Sequence, residues 1–561
     1  MVKRCIVYYA VLTRVFIALF TATVFQPDEY FQSLEPAHHL VFGYGHLTWE
    51  WLSPRPIRSI LYPALNVPVY WILKTTGLDA SDWLLIGCPR VLHGTLASLT
   101  DIFLCSLTET VLGERYVSTA LLISLTSPFH VLALSRSLSN SLETSLTTVA
   151  LAFYPWIAGP NVAIDRYIAI AVGRSHSLMF LSSRVRLTLG FAALSCAIRP
   201  TNAILWAYLV GHLLLKMRSS LPTLTAIIQD GAVIALAALS GIFLLDTVYY
   251  GIPTFTPLNF LVTNLSSVSL FYGGNAWHYY LSQAIPILCA TTLPFVLLQV
   301  RHILCGRASP ALASMLGCII WTISVYSLAG HKEWRFIHPL LPMLHLFAAK
   351  CMYDMSVGPK RSLALRPSLL AALLVTIPIS LYIALLYCSG PIEVMAFIRD
   401  IPRSQLRDGV GLLMPCHSTP GHAYLHRPEL ANGTLWALGC EPPLQSQDPA
   451  TYRDRDQTTV FFGAPYTYLD QRFPQTVDPT FPPSPFPASI PGTVQDTAAE
   501  LYAWVHAWPR HLAFFGALLE QEGVRDLLQQ RGYAEIWSAG RVWEGDCDER
   551  KGGVRVWKYV V

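Results

Sequence analysis

The chain has 561 residues, of which 53% are hydrophobic and only 13% charged, with a mean hydropathy of +0.42. A soluble domain carries about 25% charged residues, so this composition excludes a water-soluble, disordered or collagen-like chain and indicates a polytopic membrane protein. The net charge of +4 is too small to point to nucleic acid, and the twelve cysteines contain no CxxC pair to suggest zinc.

The first apolar run, 5–25, follows Lys3 and Arg4. It is interrupted by Arg14 and leads into Pro27-Asp28-Glu29 rather than a small-residue cleavage site. It reads as an uncleaved first span with a cytosolic N-terminus. Further apolar stretches lie near 58–77, 85–112, 117–135, 139–158, 187–199, 201–215, 224–247, 280–300, 310–329, 336–352 and 367–389. The basic groups Lys3/Arg4, Arg166/Arg174/Arg184/Arg186, Lys216/Arg218, Arg301/Arg307 and Lys350/Lys360/Arg361 belong in the cytosol. They all do so if 58–77, which holds Pro63, Asn66 and Pro68, lies on the luminal surface instead of crossing. About eleven crossings then leave the tail in the lumen. The sequons at Asn264 and Asn432 fall on that side.

From Pro391 onward the sequence turns polar. Residues 1–390 are expected to form the transmembrane module, with a first luminal loop at 26–84, and 391–561 a separate soluble domain. In the tail, β-prone runs near 410–414, 458–464, 511–516, 533–537 and 554–560 alternate with helix-like stretches near 392–400, 496–507 and 517–530, which predicts a small α/β domain. The proline-rich 473–492 reads as an irregular loop. Cys416, Cys440 and Cys547 offer one disulfide in an oxidising lumen, without fixing the pair.

Four polar clusters stand at span ends. Gln26-Pro-Asp28-Glu29-Tyr30 puts two carboxylates at a membrane edge, either as a general base for a hydroxyl nucleophile or as the first turn of a helix. In the loop that follows, His38, His39 and His46 invite a metal. Adjacent histidines point to different helix faces, however, and interfacial side chains are the commoner explanation. His331-Lys332-Glu333-Trp334-Arg335 is a charge cluster on the luminal side, against the orientation bias. His331, Lys332 and Arg335 could bind a phosphate, or Glu333 could neutralise Arg335 or Lys332 in an interfacial anchor. Arg136, Asn140 and Glu143, and then Arg199 and Asn202, are either further cleft residues or parts of ordinary helix starts, with Ser139 or Asn140 as a cap and Pro200 in the first helical position.

The segments QPDEYFQSLEPAHHLVFGYGHLTWEW, RSLSNSLE, CAIRPTNAILW and GHKEWRFIHPLLPML together resemble the GT-C mannosyltransferases of glycosyltransferase family 22, which use dolichyl-phosphate mannose. The tail segment LMPCHSTPGHAYLHRP resembles the branch that adds the third mannose of the glycosylphosphatidylinositol (GPI) precursor. Trp334 stands where Phe is more usual in that branch. The resemblance implies a polytopic all-α GT-C fold with luminal interfacial helices in the endoplasmic reticulum membrane. It further implies an α-1,2-mannosyltransferase acting on a GPI-precursor glycolipid, no metal or other cofactor, and a catalytic carboxylate at Asp28 with Glu29 beside it. Neighbouring activities are the fourth-mannose and N-glycan enzymes. A lipid transporter or scramblase, or a non-catalytic subunit, would share the polytopic architecture, although no repeated halves are visible.

Overall fold

The computed structural model describes residues 2–156, 176–356, 365–442, 456–484, 504–542 and 548–560. Arg166, Arg174, Lys360, Arg361, Cys547, and the expected features within 485–503, lie outside them. The chain forms two compact units, one of residues 1–19, 90–257 and 273–380, the other of residues 20–89, 258–272 and 381–561.

The first unit is helical. In hydrocarbon a backbone must satisfy its own hydrogen bonds, and helices do this within one segment. Among the described residues, five helical segments are long and apolar enough to cross a membrane: Asp82–Val111, Leu221–Tyr250, Tyr280–Leu304, Pro310–Ser327 and Pro367–Asp400. The apolar Cys5–Phe20 is shorter. Other expected spans are broken. Val117–Thr126 stops before Pro128 and is followed by a π-helical turn at His130–Leu134. The stretch expected from 336 becomes α-helical only at Leu341, because Pro339 sits in a 3₁₀ segment, Trp334–Leu340. Proline removes a backbone donor and clashes with the preceding turn, which accounts for both breaks.

Two close fits hold this unit together. Arg14, the charge that interrupts the first apolar run, is wholly buried and grips Asp101 through Nε–Oδ2 at 2.7 Å and Nη2–Oδ1 at 2.9 Å. Ser124 closes the group. Its hydroxyl donates to Asp101 at 2.6 Å and its carbonyl accepts from Arg14 at 2.9 Å. Nearby, Gly94 lets two helices touch: a Cβ there would lie 2.8 Å from Val15 Cα and 3.0 Å from the Arg14 carbonyl. Small residues permit such crossings between apolar helices.

The second unit carries a five-stranded mixed sheet in the order β2-β1-β3-β5-β4, with β1 Val410–Leu412, β2 Leu435–Ala437, β3 His511–Phe515, β4 Tyr533–Ala539 and β5 Val554–Tyr559. β1 runs parallel to β2 and β3, and β5 runs antiparallel to β3 and β4. The period-2 alternation of β3 gives each face its own core. Leu512 and Phe514 join Val524, Leu527 and Leu528 of the helix Val524–Gln530. Ala513 and Phe515 join Val394, Met395 and Ile398 of the helix Gly390–Asp400. The expected α/β character of the tail is therefore present, with one correction. The run 458–464 is no strand but part of the helix Gln457–Gly463, started by Asp456, whose Oδ1 accepts the Thr459 N–H at 3.0 Å. The stretch 58–77 folds as a 3₁₀ turn, Pro63–Leu65, and a helix, Val67–Thr76. At ten residues and about 1.5 Å per residue this helix is too short to cross.

Candidate active site

In the first unit, three of the polar clusters meet on the helix Ser139–Phe153, which is buried almost all round although half its residues are polar. Its hydroxyls satisfy themselves on the preceding turn: Thr144 donates to the Asn140 carbonyl at 2.8 Å, and Thr148 to that of Thr144 at 2.7 Å. That frees its remaining polar side chains to reach sideways. Glu143 pairs with Arg199 at 3.1 Å and accepts from Asn202 Nδ2 at 2.8 Å. Asn140 Nδ2 donates to the Arg335 carbonyl at 3.3 Å. Arg199 also donates to Ser139 Oγ at 3.0 Å and lies over the Phe336 ring at 5.5 Å. The capping alternative fails for Asn140, whose side chain bonds across the fold and caps no helix, and holds for Pro200, which opens the 3₁₀ turn Pro200–Asn202. Arg136 turns back to the Leu132 carbonyl at 2.7 Å.

The charge cluster is locally organised. Glu333 chelates Arg335, Oε2–Nε at 2.6 Å and Oε1–Nη2 at 2.9 Å, so the pairing of Glu333 with Arg335 is realised. His331 faces two acceptors, Glu333 Oε1 at 3.2 Å and the Gly273 carbonyl at 2.9 Å. Only an imidazolium donates to both. The Glu333 contact accordingly raises the His331 pKa. Burial alone would raise the Glu333 carboxyl, but Arg335 and His331 outweigh it and hold the group well below the usual carboxylate range. Lys332 Nζ donates to the Asn275 carbonyl at 2.8 Å, while Asn275 Nδ2 donates to the Lys332 carbonyl at 2.8 Å. Glu333 thus cancels one of the two fixed positive charges, those of Lys332 and Arg335, and the cluster gains a further one whenever His331 is protonated.

In the second unit, Asp28 and Glu29 open a helix, with the Tyr30 and Phe31 amides donating to the Pro27 carbonyl. The first-turn reading therefore holds. Asp28 stays half-buried and Glu29 is buried. The next turn, Tyr30–Leu34, is π-helical, a form that recurs at functional sites. This helix locks onto the tail. Tyr30 meets Tyr424 edge-on at 5.3 Å, and Phe31 packs on the His417 ring at 4.6 Å. The Glu35 carboxylate accepts the Ala423 N–H at 2.5 Å and the His46 N–H at 2.8 Å. A Cβ on Gly421 would sit 2.8 Å from that carboxylate, so a larger residue there would displace the Glu35 side chain from these two amides. Burial pushes the Glu35 carboxyl up to about 7 even though both amides favour its charged form.

His38 corrects an expectation. It is no interfacial side chain but is wholly buried, with Nδ1 on the Tyr44 carbonyl at 2.9 Å and Nε2 on His426 Nδ1 at 2.9 Å. Cys416 and Cys440 form the disulfide. Among the described residues, Cys416, His417 and Cys440 are the one group with metal-ligand spacing, and the disulfide uses both thiols. Sequence reasoning missed Glu35, Asp101 and His417 as fixed parts of the structure. Each depends on a partner many residues away.

The helical, apolar first unit with its buried polar clusters is the architecture of a polytopic membrane protein. Residues 5–426 match the Alg9-like mannosyltransferase family, and the chain belongs to it. It is 35% identical to GPI mannosyltransferase 3 of Yarrowia lipolytica over 85% of both chains. It is 32% identical to GPI alpha-1,2-mannosyltransferase 3 of Mus musculus, over 83% of this chain and 79% of the other, and 30% identical to the Homo sapiens protein of the same name, over 83% and 76%. In fold it resembles ArnT from Cupriavidus metallidurans bound to undecaprenyl phosphate, with a TM-score of 0.57, 13% identity and 99% and 97% of the two chains covered.

Proposed function

We propose that this chain, a mannosyltransferase of GPI-anchor biosynthesis, transfers the third mannose from dolichyl-phosphate mannose to the 2-hydroxyl of a two-mannose GPI precursor. The observation that carries the reading is kinship along 85% of the chain to a GPI mannosyltransferase 3. The ArnT fold accommodates a polyisoprenoid phosphate, the chemical class of the proposed leaving group. The reading places about eleven spans in the endoplasmic reticulum membrane, the N-terminus in the cytosol and 391–561 in the lumen as a domain of its own.

The donor sugar is β-linked and the product α-linked, so one displacement with inversion suffices. The acceptor oxygen bonds to the anomeric carbon as its proton passes to Asp28. The bond from that carbon to the phosphate oxygen breaks, and its electron pair leaves on dolichyl phosphate. Positive charge gathers on the sugar, as in glycoside cleavage. His331, Lys332 and Arg335 stabilise the phosphate leaving group, and Glu29 orients the acceptor. Arg136, Asn140, Glu143, Arg199 and Asn202 hold the surrounding polar framework. No metal takes part. The test is turnover of the purified enzyme with dolichyl-phosphate mannose and the two-mannose precursor, the product mapped with a linkage-specific mannosidase. Asp28→Ala should lower turnover by about 10²–10⁴-fold, the usual worth of a general base, at unchanged expression. Near-wild-type turnover would remove Asp28 from the role. Transfer to a three-mannose precursor, with none to the two-mannose one, would make the fourth-mannose reading the correct one.

A further inference from the structure

The disulfide Cys416–Cys440 brackets a residue that the mechanism above does not use. His417 has a left-handed backbone, φ +56°, a conformation costly for most side chains, natural for glycine and adopted more readily by asparagine, aspartate and histidine than by the rest. The packing that holds it there is specific. Its ring lies 4.6 Å from that of Phe31, one helical turn after Asp28, and 6.2 Å from that of His46. Its Nδ1 is 3.7 Å from Cys440 Sγ. Asp28 lies within electrostatic range and favours the charged imidazole, but burial prevails and pushes the pKa down to about 4. At neutral pH the ring is therefore uncharged and carries one N–H. A disulfide sulfur has no proton to give and is a weak acceptor, so a carboxylate competes for that N–H with advantage.

We propose that His417 is a positioning residue for Asp28, held by the Cys416–Cys440 loop so that its N–H reaches the Asp28 carboxylate directly or through one water. A neutral donor suits this role. It fixes the direction of the carboxylate without setting a full positive charge beside it, and such a charge would weaken the base. Bonds of this kind in an unliganded enzyme tighten when substrate arrives. The proposal rests on Asp28 being the base.

The experiment compares purified full-length His417→Gly and His417→Asn with wild type, using dolichyl-phosphate mannose and the two-mannose precursor. Glycine accepts the backbone conformation but has no donor, whereas asparagine accepts the conformation and offers an N–H. Loss of one charge-assisted hydrogen bond corresponds to about 10- to 100-fold. His417→Gly should lose that much in kcat with KM changed less than about 3-fold, and His417→Asn should regain most of it. Non-reducing electrophoresis reports whether the disulfide is retained. A His417→Gly enzyme with wild-type kcat overturns the proposal, as does equal loss in both variants. Asp28→Ala, run alongside, separates the two ideas. If it keeps full turnover, the base assignment falls. If it is inactive while His417→Gly is unimpaired, only the role of His417 falls.

Discussion

The ion pair between Arg14 and Asp101 allows a quantitative test of how the first unit is held. Both side chains are fully buried, at 0% exposure. Arg14→Met leaves the Asp101 carboxylate with the Ser124 hydroxyl alone, and Asp101→Leu leaves a guanidinium with only the Ser124 carbonyl. Breaking a buried pair from one side costs about 3–5 kcal/mol, because a charge is stranded away from water. At about 2–4 °C per kcal/mol for a large domain, each single variant should melt roughly 6–20 °C below wild type. Asp101→Leu should be the worse of the two, since an orphaned carboxyl can take up a proton and a guanidinium cannot. Replacing both together, as Arg14→Met with Asp101→Leu, removes the stranded charge and should recover most of the loss, as apolar substitutes for buried pairs often do. The measurement is thermal unfolding in detergent, read as the fraction surviving size-exclusion chromatography after heating. Single variants within about 2 °C of wild type, or a double variant worse than either, would show that the pair does not anchor this unit.

Acid should weaken the second unit. Burial holds His38 and His46 at about 3 and His417 and His422 at about 4, against about 6.5 unfolded. The unfolded chain therefore takes up protons that the folded one refuses, and stability present above about pH 6.5 is lost as pH falls toward 4. Glu35 acts in the opposite sense. The folded state keeps its proton up to about 7 while the unfolded chain releases it near 4.3, so its contribution falls as pH rises through that window. Four histidines outweigh one carboxyl, and limited proteolysis should cleave the tail faster at pH 5 than at pH 7; equal rates would contradict the burial of these rings. Separately, Asn432 is exposed in a turn, so a luminal tail should carry a glycan there. The endoglycosidase-sensitive mass shift should diminish in Asn432→Gln, and a tail digested by protease added outside sealed microsomes would reverse the orientation.

What the sequence reveals and conceals follows from the range of each interaction. The acidic first turn at Asp28, the surface helix in 58–77 and the strands β1, β3, β4 and β5 rest on local pattern, which periodicity and proline report directly. Thr458-Thr459-Val460-Phe461-Phe462 is as apolar and β-prone as those strands, and only Asp456, read as a cap, separates helix from strand. β1 and β2 have three residues each, too few for alternation to register, and β1 is legible only through the longer run 410–414 around it. Asp101 is one of several polar residues scattered through the stretch 85–112, Arg90 and Glu109 among them, until Arg14 is set against it, 87 positions away. Glu35 likewise acquires its environment from Ala423, 388 positions on. The histidine-rich segments after Asp28 and around 416–426 are conspicuous in sequence, but that one packs into the other is a fact of the fold.

Exposure also sorts the candidate residues by role. A group that takes a proton from a sugar hydroxyl must meet it, whereas a group that fixes geometry need not. Glu143, Asn140 and Asn202 are each about 1% exposed, and their side-chain bonds run to one another, to Arg199, Thr147 and Ser195, or to the Arg335 backbone. A carboxylate so enclosed has no route to a sugar hydroxyl, and Glu143 instead ties the helix Ser139–Phe153 to Arg199 and Asn202, while Asn140 ties it to the Arg335 carbonyl. Asp28 and His331 keep part of their surface in contact with solvent. On the proposed reading, taking the proton from the acceptor hydroxyl therefore belongs with the half-buried Asp28. Glu143, Asn140 and Asn202 would then serve by holding the framework around it, since in that displacement a nucleophile must line up behind the bond that breaks.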